Sequence, residues 1–579
     1  MTEFLGDSDY RHKLGLAARC LGQVRALRRR TEPVRGGSQP MESRRVRIRA
    51  AIDRVTERYV EFDWANTEVS RDEAACPHWR LCWQGCGFAR GRVVHLELVT
   101  ALVERMEDRG ISGVSRRFAA GAIGALGSVL GDRTGQGLSS LKQRIEEMRE
   151  DYWLRVAATR VLGELGLGLG DWTSEVIAAL IARITHKNDH EDVRRAATQA
   201  LGALGNVLCS NTYPVVAALT ERVQDKGDDW GLRCAAVEAL GALGPVLDAR
   251  IGLVVAVLLE RVIDQRDDRY LRRVVAAVLG TLGLVLRDCT SEVVATLVER
   301  VTDKGDYEYL RGSAADALGA LGAVLGDRAG EVVSALLERV KDKGANVELR
   351  GSAADALGAL GAVLGDRTGE VVASLLERVK DTGEKVYLRC FAAIALGALG
   401  AVLGDRVGEV VTVLVERVRD KGDDEDLRRS AAGALGALGG VLGDCAGEVV
   451  STLLERVKDN GDNEELRGSA AKALGALGAV LGDRTGEVVS TLLERVKDTG
   501  DYWELRNSAA GALGALGAVL GDRAGEVVAT LLERVKDTGD YWELRHSAAE
   551  ALQRLTTAGW RWRSTKPEHW IARDLVLAR

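Results

Sequence analysis

The residue types that most often carry chemistry are scarce in this chain, with seven histidines and nine cysteines among 579 residues. Cys76, His78, Cys82 and Cys86, with His95 beyond, are the densest group of metal-type ligands. Thiolate and imidazole are the ligands that tetrahedral zinc prefers, but the spacing matches no paired Cys-x-x-Cys knuckle. A zinc clip closing the N-terminal end of the chain's main body and scattered thiols in a degenerate segment both remain open. The second is preferred, so no metal is expected. His186 and His190 lie four apart, which suits zinc on a helix, but the segment reads as loop and offers no third ligand. Acidic stretches such as Asp420 to Asp426 lack the glycine and the closing glutamate of a calcium loop. No Gly-x-x-x-x-Gly-Lys-Ser/Thr, Gly-x-Ser-x-Gly or His-Glu-x-x-His is present. With so few histidines, general acid–base work has few candidates. Neither enzymatic activity nor a cofactor is expected.

What positions the remaining polar residues is a repeat. Arg116, Arg155, Arg194, Arg233, Arg272, Arg311, Arg350, Arg389, Arg428, Arg467, Arg506 and Arg545 follow one another at a constant 39 residues, with no insertion or deletion. Such self-similarity marks a repeat architecture. Within one period, Val332, Val333, Leu336, Leu337 and Val340 form one apolar stripe at helical spacing. Leu349, Ala353, Ala356, Leu357, Leu360 and Leu364 form a second. The pattern predicts a first helix over about 331–342, a loop at 341–344 and a second helix over about 348–364, stopped by Gly365. Gly358 and Gly361 fall inside that second helix, where each costs roughly 1 kcal/mol relative to alanine. Their recurrence predicts a close approach of helices there.

A helix pair of this size buries its stripe only by stacking on its neighbours. The expected fold is therefore an all-α solenoid, a superhelical stack of about twelve two-helix repeats over residues 93–555. The motif Leu-Arg-x-x-Ala-Ala-x-Ala-Leu-Gly, as at Leu349 to Gly358 and preceded by an aspartate, resembles the HEAT family. Its phycobilisome-lyase-type HEAT-like repeats are the nearest in form. This chain departs in its longer period and near-absence of proline. The resemblance implies Asp–Arg ladders between repeats and a concave surface lined by the second helices. It does not choose among scaffold, adaptor, enzyme subunit and sensor arm.

Two arginine ladders run through the array. One, at the Arg339 position, suits the negative end of a helix dipole. The other, at the Arg350 position, opens a helix, where a cation is disfavoured, so it needs an acid. Asp342, repeated at Asp303, Asp381, Asp420, Asp459, Asp498 and Asp537, is the expected partner.

Net charge is −6 and pI about 5.9, so the whole chain is no electrostatic trap for nucleic acid. The exception is residues 1–50, which hold Arg28 to Arg30 and Arg44, Arg45, Arg47 and Arg49 and read as a basic, flexible arm. A nucleic-acid contact, if any, is expected there. Residues 51–92 read as a short helical lead-in carrying the Cys-rich segment, and 556–579 as a Trp-rich tail or cap with Trp560, Trp562 and Trp570. Isolated cysteines fit a reducing compartment. With no transmembrane run and no secretory pattern at residues 1–9, a cytoplasmic location is expected.

Two sets of positions vary while the framework repeats. The slots of Gly351 and Asp355 lie four apart on the second helix, so they share a face. They carry Arg117, Arg160, Arg195, Gln199, Cys234, Glu238, Arg273, Asp316, Asp355, Arg429, Lys472, Asn507, His546 and Glu550, a mixed-charge stripe expected on the concave side. The four residues before each ladder arginine carry Tyr152, Trp153, Trp230, Tyr270, Tyr307, Tyr309, Tyr387, Tyr502, Trp503, Tyr541 and Trp542. These rings either form a protein-contact rim or staple each loop onto the next repeat. The leading expectation is a non-catalytic scaffold or adaptor binding a protein partner. The alternatives are an accessory or sensor subunit of an enzyme, chromophore-lyase-like or serving a signalling NTPase, and a nucleic-acid binder acting through residues 1–50.

Overall fold

The computed structural model describes residues 100–558, apart from 101, 131–134, 209–210 and 538, together with 561–564 and 575–578. The basic arm, the lead-in and the Cys76, His78, Cys82, Cys86 cluster lie outside the described residues. The chain divides into two compact units, Met1–Cys289 and Thr290–Arg579, and each is a stack of helix pairs.

One repeat shows how the sequence makes the pair. The first helix runs Ala329–Lys341 and the second Val347–Leu360. Val332, Val333, Leu336, Leu337 and Val340 of the first, and Leu349, Ala353, Ala356, Leu357 and Leu360 of the second, are all buried, as their spacing predicts. Asn346 caps the second helix, its side chain accepting from the Glu348 N–H at 2.7 Å. Asp342 shapes the loop, its carboxylate accepting from the Gly344 N–H at 2.9 Å.

The second helix is shorter than its apolar pattern suggests. It stops at Leu360 because Gly361 takes φ +47°, and a tight turn over Gly361–Arg367 follows, with Gly365 at φ +50°. Two left-handed glycines in place of one turn the chain into the next first helix. Leu364 keeps its predicted burial from within that turn. Gly361 therefore serves backbone conformation and not a close approach.

Gly358 is where the helices meet. A Cβ there would lie 2.8 Å from Ala395 Cα in the next repeat, and Gly319, Gly397, Gly436, Gly475 and Gly514 repeat the same contact. Successive second helices thus pack along much of their length, while first helices touch one another far less. Residues 386–419 are apolar enough in composition to cross a membrane. They fold as two helices, Val386–Leu399 and Val407–Arg419, parted by left-handed Gly400 and Gly404. Beyond the last helix, Trp542–Thr557, the strands Arg561–Ser564 and Leu575–Ala578 pair antiparallel, with Arg561 opposite Ala578. Among the described residues this strand pair stands apart from an otherwise helical chain.

Glycines in the two environments should respond oppositely to alanine. Gly358→Ala forces a methyl onto backbone and should lower stability by about 1–3 kcal/mol. Gly433 is exposed on its helix, with nothing within 4 Å of the place its methyl would take. It should gain roughly 0.5–1 kcal/mol on the same change. Urea unfolding of the two variants beside the parent checks both signs.

Candidate functional site

The arginine ladders do not use the expected acid. Arg194 donates to Asp228 at 2.7 Å and Arg222 donates to the other oxygen of the same carboxylate at 2.9 Å. Arg116 and Arg144 share Glu150, Arg155 and Arg183 share Asp189, Arg233 and Arg261 share Asp267, and Arg428 and Arg456 share Asp462. Each carboxylate stands at the end of its loop, 34 residues after one arginine and 6 after the other. Arg350 accordingly pairs with Glu384 of the next repeat at 2.6 Å and not with Asp342. Asp342 lies 3.7 Å from Arg339 as a secondary charge.

The dipole difficulty of the Arg350 position is resolved by direction. The side chain reaches back to its own first helix, donating from Nε to the Val340 carbonyl at 3.2 Å, so its charge meets that helix's negative end. Both arginines of a clasp are nearly all buried, Arg222 at 1% and Arg194 at 5% exposure. The guanidinium of Arg116 beside it, with Arg144, holds Glu150 down to about 2 against its own burial. A buried pair that loses one member leaves uncompensated charge. Asp228→Ala should therefore destabilise by about 3–5 kcal/mol, with amide exchange accelerating first in the helices Thr212–Gln224 and Glu191–Ala203. Uniform exchange rates in the variant would count against the clasp as an inter-repeat tie.

The stripe residues divide by slot. The Asp355 slot faces solvent in most repeats, with Gln199, Glu238, Asp316, Lys472 and Glu550 exposed and Arg160 half-buried. Its apolar member, Ile394, is 47% exposed. The Gly351 slot lies nearer the seam between second helices. Cys234 and Cys390 are buried there, and a Cβ at Gly351 would lie 3.0 Å from the Phe391 ring. Arg117, Arg195, Arg429 and Asn507 are half-buried, while Arg273 and His546 stay exposed. Arg429 pairs with Asp426 at 2.7 Å and with Glu465 of the next repeat, and His546 lies 3.2 Å from Glu550. Part of the variation at this slot is therefore packing. Burial pushes the Cys234 thiol up to about 12, which leaves it unreactive.

The rings at the aromatic positions contact one another across repeats and within them, and several stay partly in solvent. Tyr152 stacks on His190 of the next repeat at 4.0 Å, and Trp230 meets Tyr270 at 5.9 Å. Tyr307 pairs with Tyr309, Tyr387 with Phe391, Tyr502 with Trp503, and Trp542 with His546. Trp230, Tyr270, Tyr309, Tyr387, Tyr502 and Tyr541 nonetheless keep 44–55% of their surface in solvent. Tyr152, Trp153, Tyr307, Trp503 and Trp542 are half-buried.

His190 caps a helix, its Nδ1 accepting from the Asp192 N–H at 3.2 Å. Among the described residues no group of three His, Cys, Asp or Glu side chains could hold a metal.

Among the described residues, Asp355 is displaced far from ordinary carboxylate behaviour. Burial first, and the neighbouring Asp316 second, push it up to about 7, and one of its oxygens has no hydrogen-bond partner. The folded chain favours the neutral form, whereas the unfolded carboxyl ionises near 3.9. The folded state then binds more protons in between, so stability falls as pH rises through that window and levels off above about 7. The advantage of Asp355→Asn over the parent in thermal unfolding should grow from about pH 4 to about pH 7 and then stay constant. A difference independent of pH would contradict the shift.

The family described as HEAT repeats matches residues 138–227, 411–514 and 450–553. Among solved structures, importin beta in a polyethylene glycol condition superposes with TM-score 0.53 at 15% identity, over 90% of this chain and 71% of that one. Importin-beta of yeast, Kap95p, gives TM-score 0.53 at 11% identity, over 90% and 72%. A Kap95:Nup1 complex gives the same score, identity and coverage. At these identities the likeness is one of fold. A comparison with characterised proteins by sequence finds none that matches. The HEAT resemblance carried by the repeat motif holds, while the narrower phycobilisome-lyase-type likeness finds no support or contradiction.

Proposed function

From a chain that carries HEAT repeats, we propose a non-catalytic scaffold that binds a protein partner along the face of its second helices. The observation that carries this reading is the separation of framework from variation. Leucines, alanines, glycines and the arginine clasp recur at fixed places, while one solvent-facing slot per repeat changes in size and sign from Gln199 through Glu238, Asp316 and Ile394 to Lys472 and Glu550. Packing does not ask for that variety, and a partner read repeat by repeat does. The half-exposed rings of Trp230, Tyr270, Tyr309 and Tyr387 stand at the start of the same helices. They supply the large amphipathic contacts that protein interfaces use as anchors.

The fold is shared with importin beta, and one of the superposed structures holds Kap95 with Nup1, which supports a protein as the class of ligand. The mixed signs along the slot argue against a nucleic-acid backbone, which calls for a basic face.

The test compares partners captured on the tagged full chain with those captured on a variant carrying alanine at Glu238, Asp316, Lys472, Glu550, Trp230, Tyr270 and Tyr387. These side chains are exposed, so circular dichroism should be unchanged. An anchor ring is worth about 2 kcal/mol, so a direct partner should bind at least about tenfold more weakly. Partners that remain bound with unchanged affinity would rule out this face.

A further inference from the structure

Between Glu150 and Asp540 the clasp lacks its carboxylate once, and both of its arginines remain. The carboxylate position that runs Glu150, Asp189, Asp228, Asp267, Asp306, then Glu384, Asp423, Asp462, Asp501 and Asp540 is occupied in one repeat by Ala345. Its two arginines are still there. Arg311 is 5% exposed and Arg339 2% exposed, and they precede the loop residue by the same spacings as in the other repeats. Arg311 Nη2 and Arg339 Nη1 have no hydrogen-bond partner. In neighbouring repeats the atoms at this place hold the carboxylate, as in Arg378 Nη1 to Glu384 at 3.3 Å and Arg417 Nη1 to Asp423 at 2.7 Å.

We propose that the Arg311–Arg339 pair at Ala345 is a binding site for a carboxylate supplied from outside the chain, either a free small acid or an acidic side chain of a docked segment. The chemical class follows from the rest of the array. The other copies from Glu150 to Asp540 carry an Asp or Glu carboxylate here, so the two guanidinium groups occupy the positions that elsewhere in the array hold such a planar anion. Removing the carboxylate without removing the cations leaves two like charges buried together. The arrangement is costly until an anion fills it.

The electrostatics agree with a pair of cations short of a counter-charge. Burial and the neighbouring Arg339 hold Arg311 below its ordinary value, whereas Arg116, with Glu150 in place, is raised. The acids nearby do not substitute. Asp342 stands 3.7 Å from Arg339, and Glu338 engages Arg339 through Nη2, leaving Nη1 without a hydrogen bond. Arg311 is anchored by Nε donating to the Val301 carbonyl at 3.2 Å, while its Nη2 has no partner. The side chain at the carboxylate position, Ala345, lies half-exposed at the end of its loop, between exposed Lys343 and Gly344 on one side and the helix Val347–Leu360 on the other, so an anion reaches the two guanidinium groups over that methyl group.

The test titrates the full chain with sodium acetate, and separately with a capped tripeptide carrying a central aspartate, at constant ionic strength set with chloride. Calorimetry and the thermal midpoint are followed. The parent should show saturable binding and a rising midpoint. Ala345→Asp, which supplies the carboxylate internally, should start from a higher midpoint and lose the response to both probes. Arg311→Leu should weaken binding by about tenfold or more, the worth of a charged hydrogen-bonded contact. The tighter of the two probes identifies the source of the carboxylate. Parent and Ala345→Asp responding alike would overturn the proposal, because the response is then a general salt effect. Tighter binding of inorganic phosphate than of acetate would overturn the carboxylate assignment.

Discussion

A single buried carboxylate shared by two guanidinium groups sets most of what is regular in this protein. The acid sits in the loop of one repeat, one arginine comes from the first helix of that repeat, and the other comes from the second helix of the repeat before. In Asp228 with Arg222 and Arg194 the three groups tie consecutive elements together at 2.7–2.9 Å. Such a tie fixes register as well as contributing stability. Burying three charges is worthwhile only where geometry satisfies them all. An insertion anywhere between Arg194 and Asp228 moves one charge off the others. That constraint gives a physical reason for a period held at 39 residues through twelve ladder positions.

The second constraint is steric and lies on the same helices. Glycine at Gly319, Gly358, Gly397, Gly436, Gly475 and Gly514 lets each second helix rest its backbone against an alanine of the next. The energy of that contact is close packing of backbone and small side chains, which is the kind of complementarity that tolerates neither a larger residue nor a change of register. The clasp and the glycine contact act at different points along one helix. One locks its start against the loop of the next repeat, and the other sets its distance from the next second helix. Together they leave the remaining face of the helix free of structural duty.

Much of this is legible in the sequence because periodicity states it directly. The apolar stripes from Val332 to Leu360 are buried where their spacing places them, and Gly358 marks the close approach. Two things are not legible, for different reasons. The helix ends at Gly361 and not at Gly365, because a glycine in an apolar helical pattern can signal close packing or a left-handed turn, and sequence does not distinguish them. The partner of Arg350 is Glu384 and not Asp342, because both are acids in loops and only the stack decides which one the guanidinium reaches. The signal that finds it is the column of Glu150, Asp189, Asp228, Asp267 and their successors, interrupted at Ala345. The stripe is half legible: the Asp355 slot is a surface, whereas Cys234, Cys390 and Gly351 show the other slot to be largely seam. The segments before residue 100, with the Cys76, His78, Cys82, Cys86 cluster, lie outside what the structure describes.

A repeat array bears a broken clasp more easily than a globular domain would. Each repeat interacts with its neighbours alone, so stability is close to a sum of local terms. The loss at Ala345 is confined to the interface holding Arg311 and Arg339, and the next clasp, Arg350 and Arg378 on Glu384, remains to hold the register. In a single cooperative core, two buried cations without a counter-charge would weigh against the whole fold. In an array they weigh against one seam. This locality is also what allows the Asp355 slot to vary from Gln199 to Glu550, with any cost, as at Asp355 itself, confined to its own repeat. Framework positions are fixed by contacts with adjacent repeats, so a change at a surface position is felt only where it stands. The same physics that makes the array regular therefore permits individual repeats to be specialised, one by its exposed side chain and another by the acid it lacks.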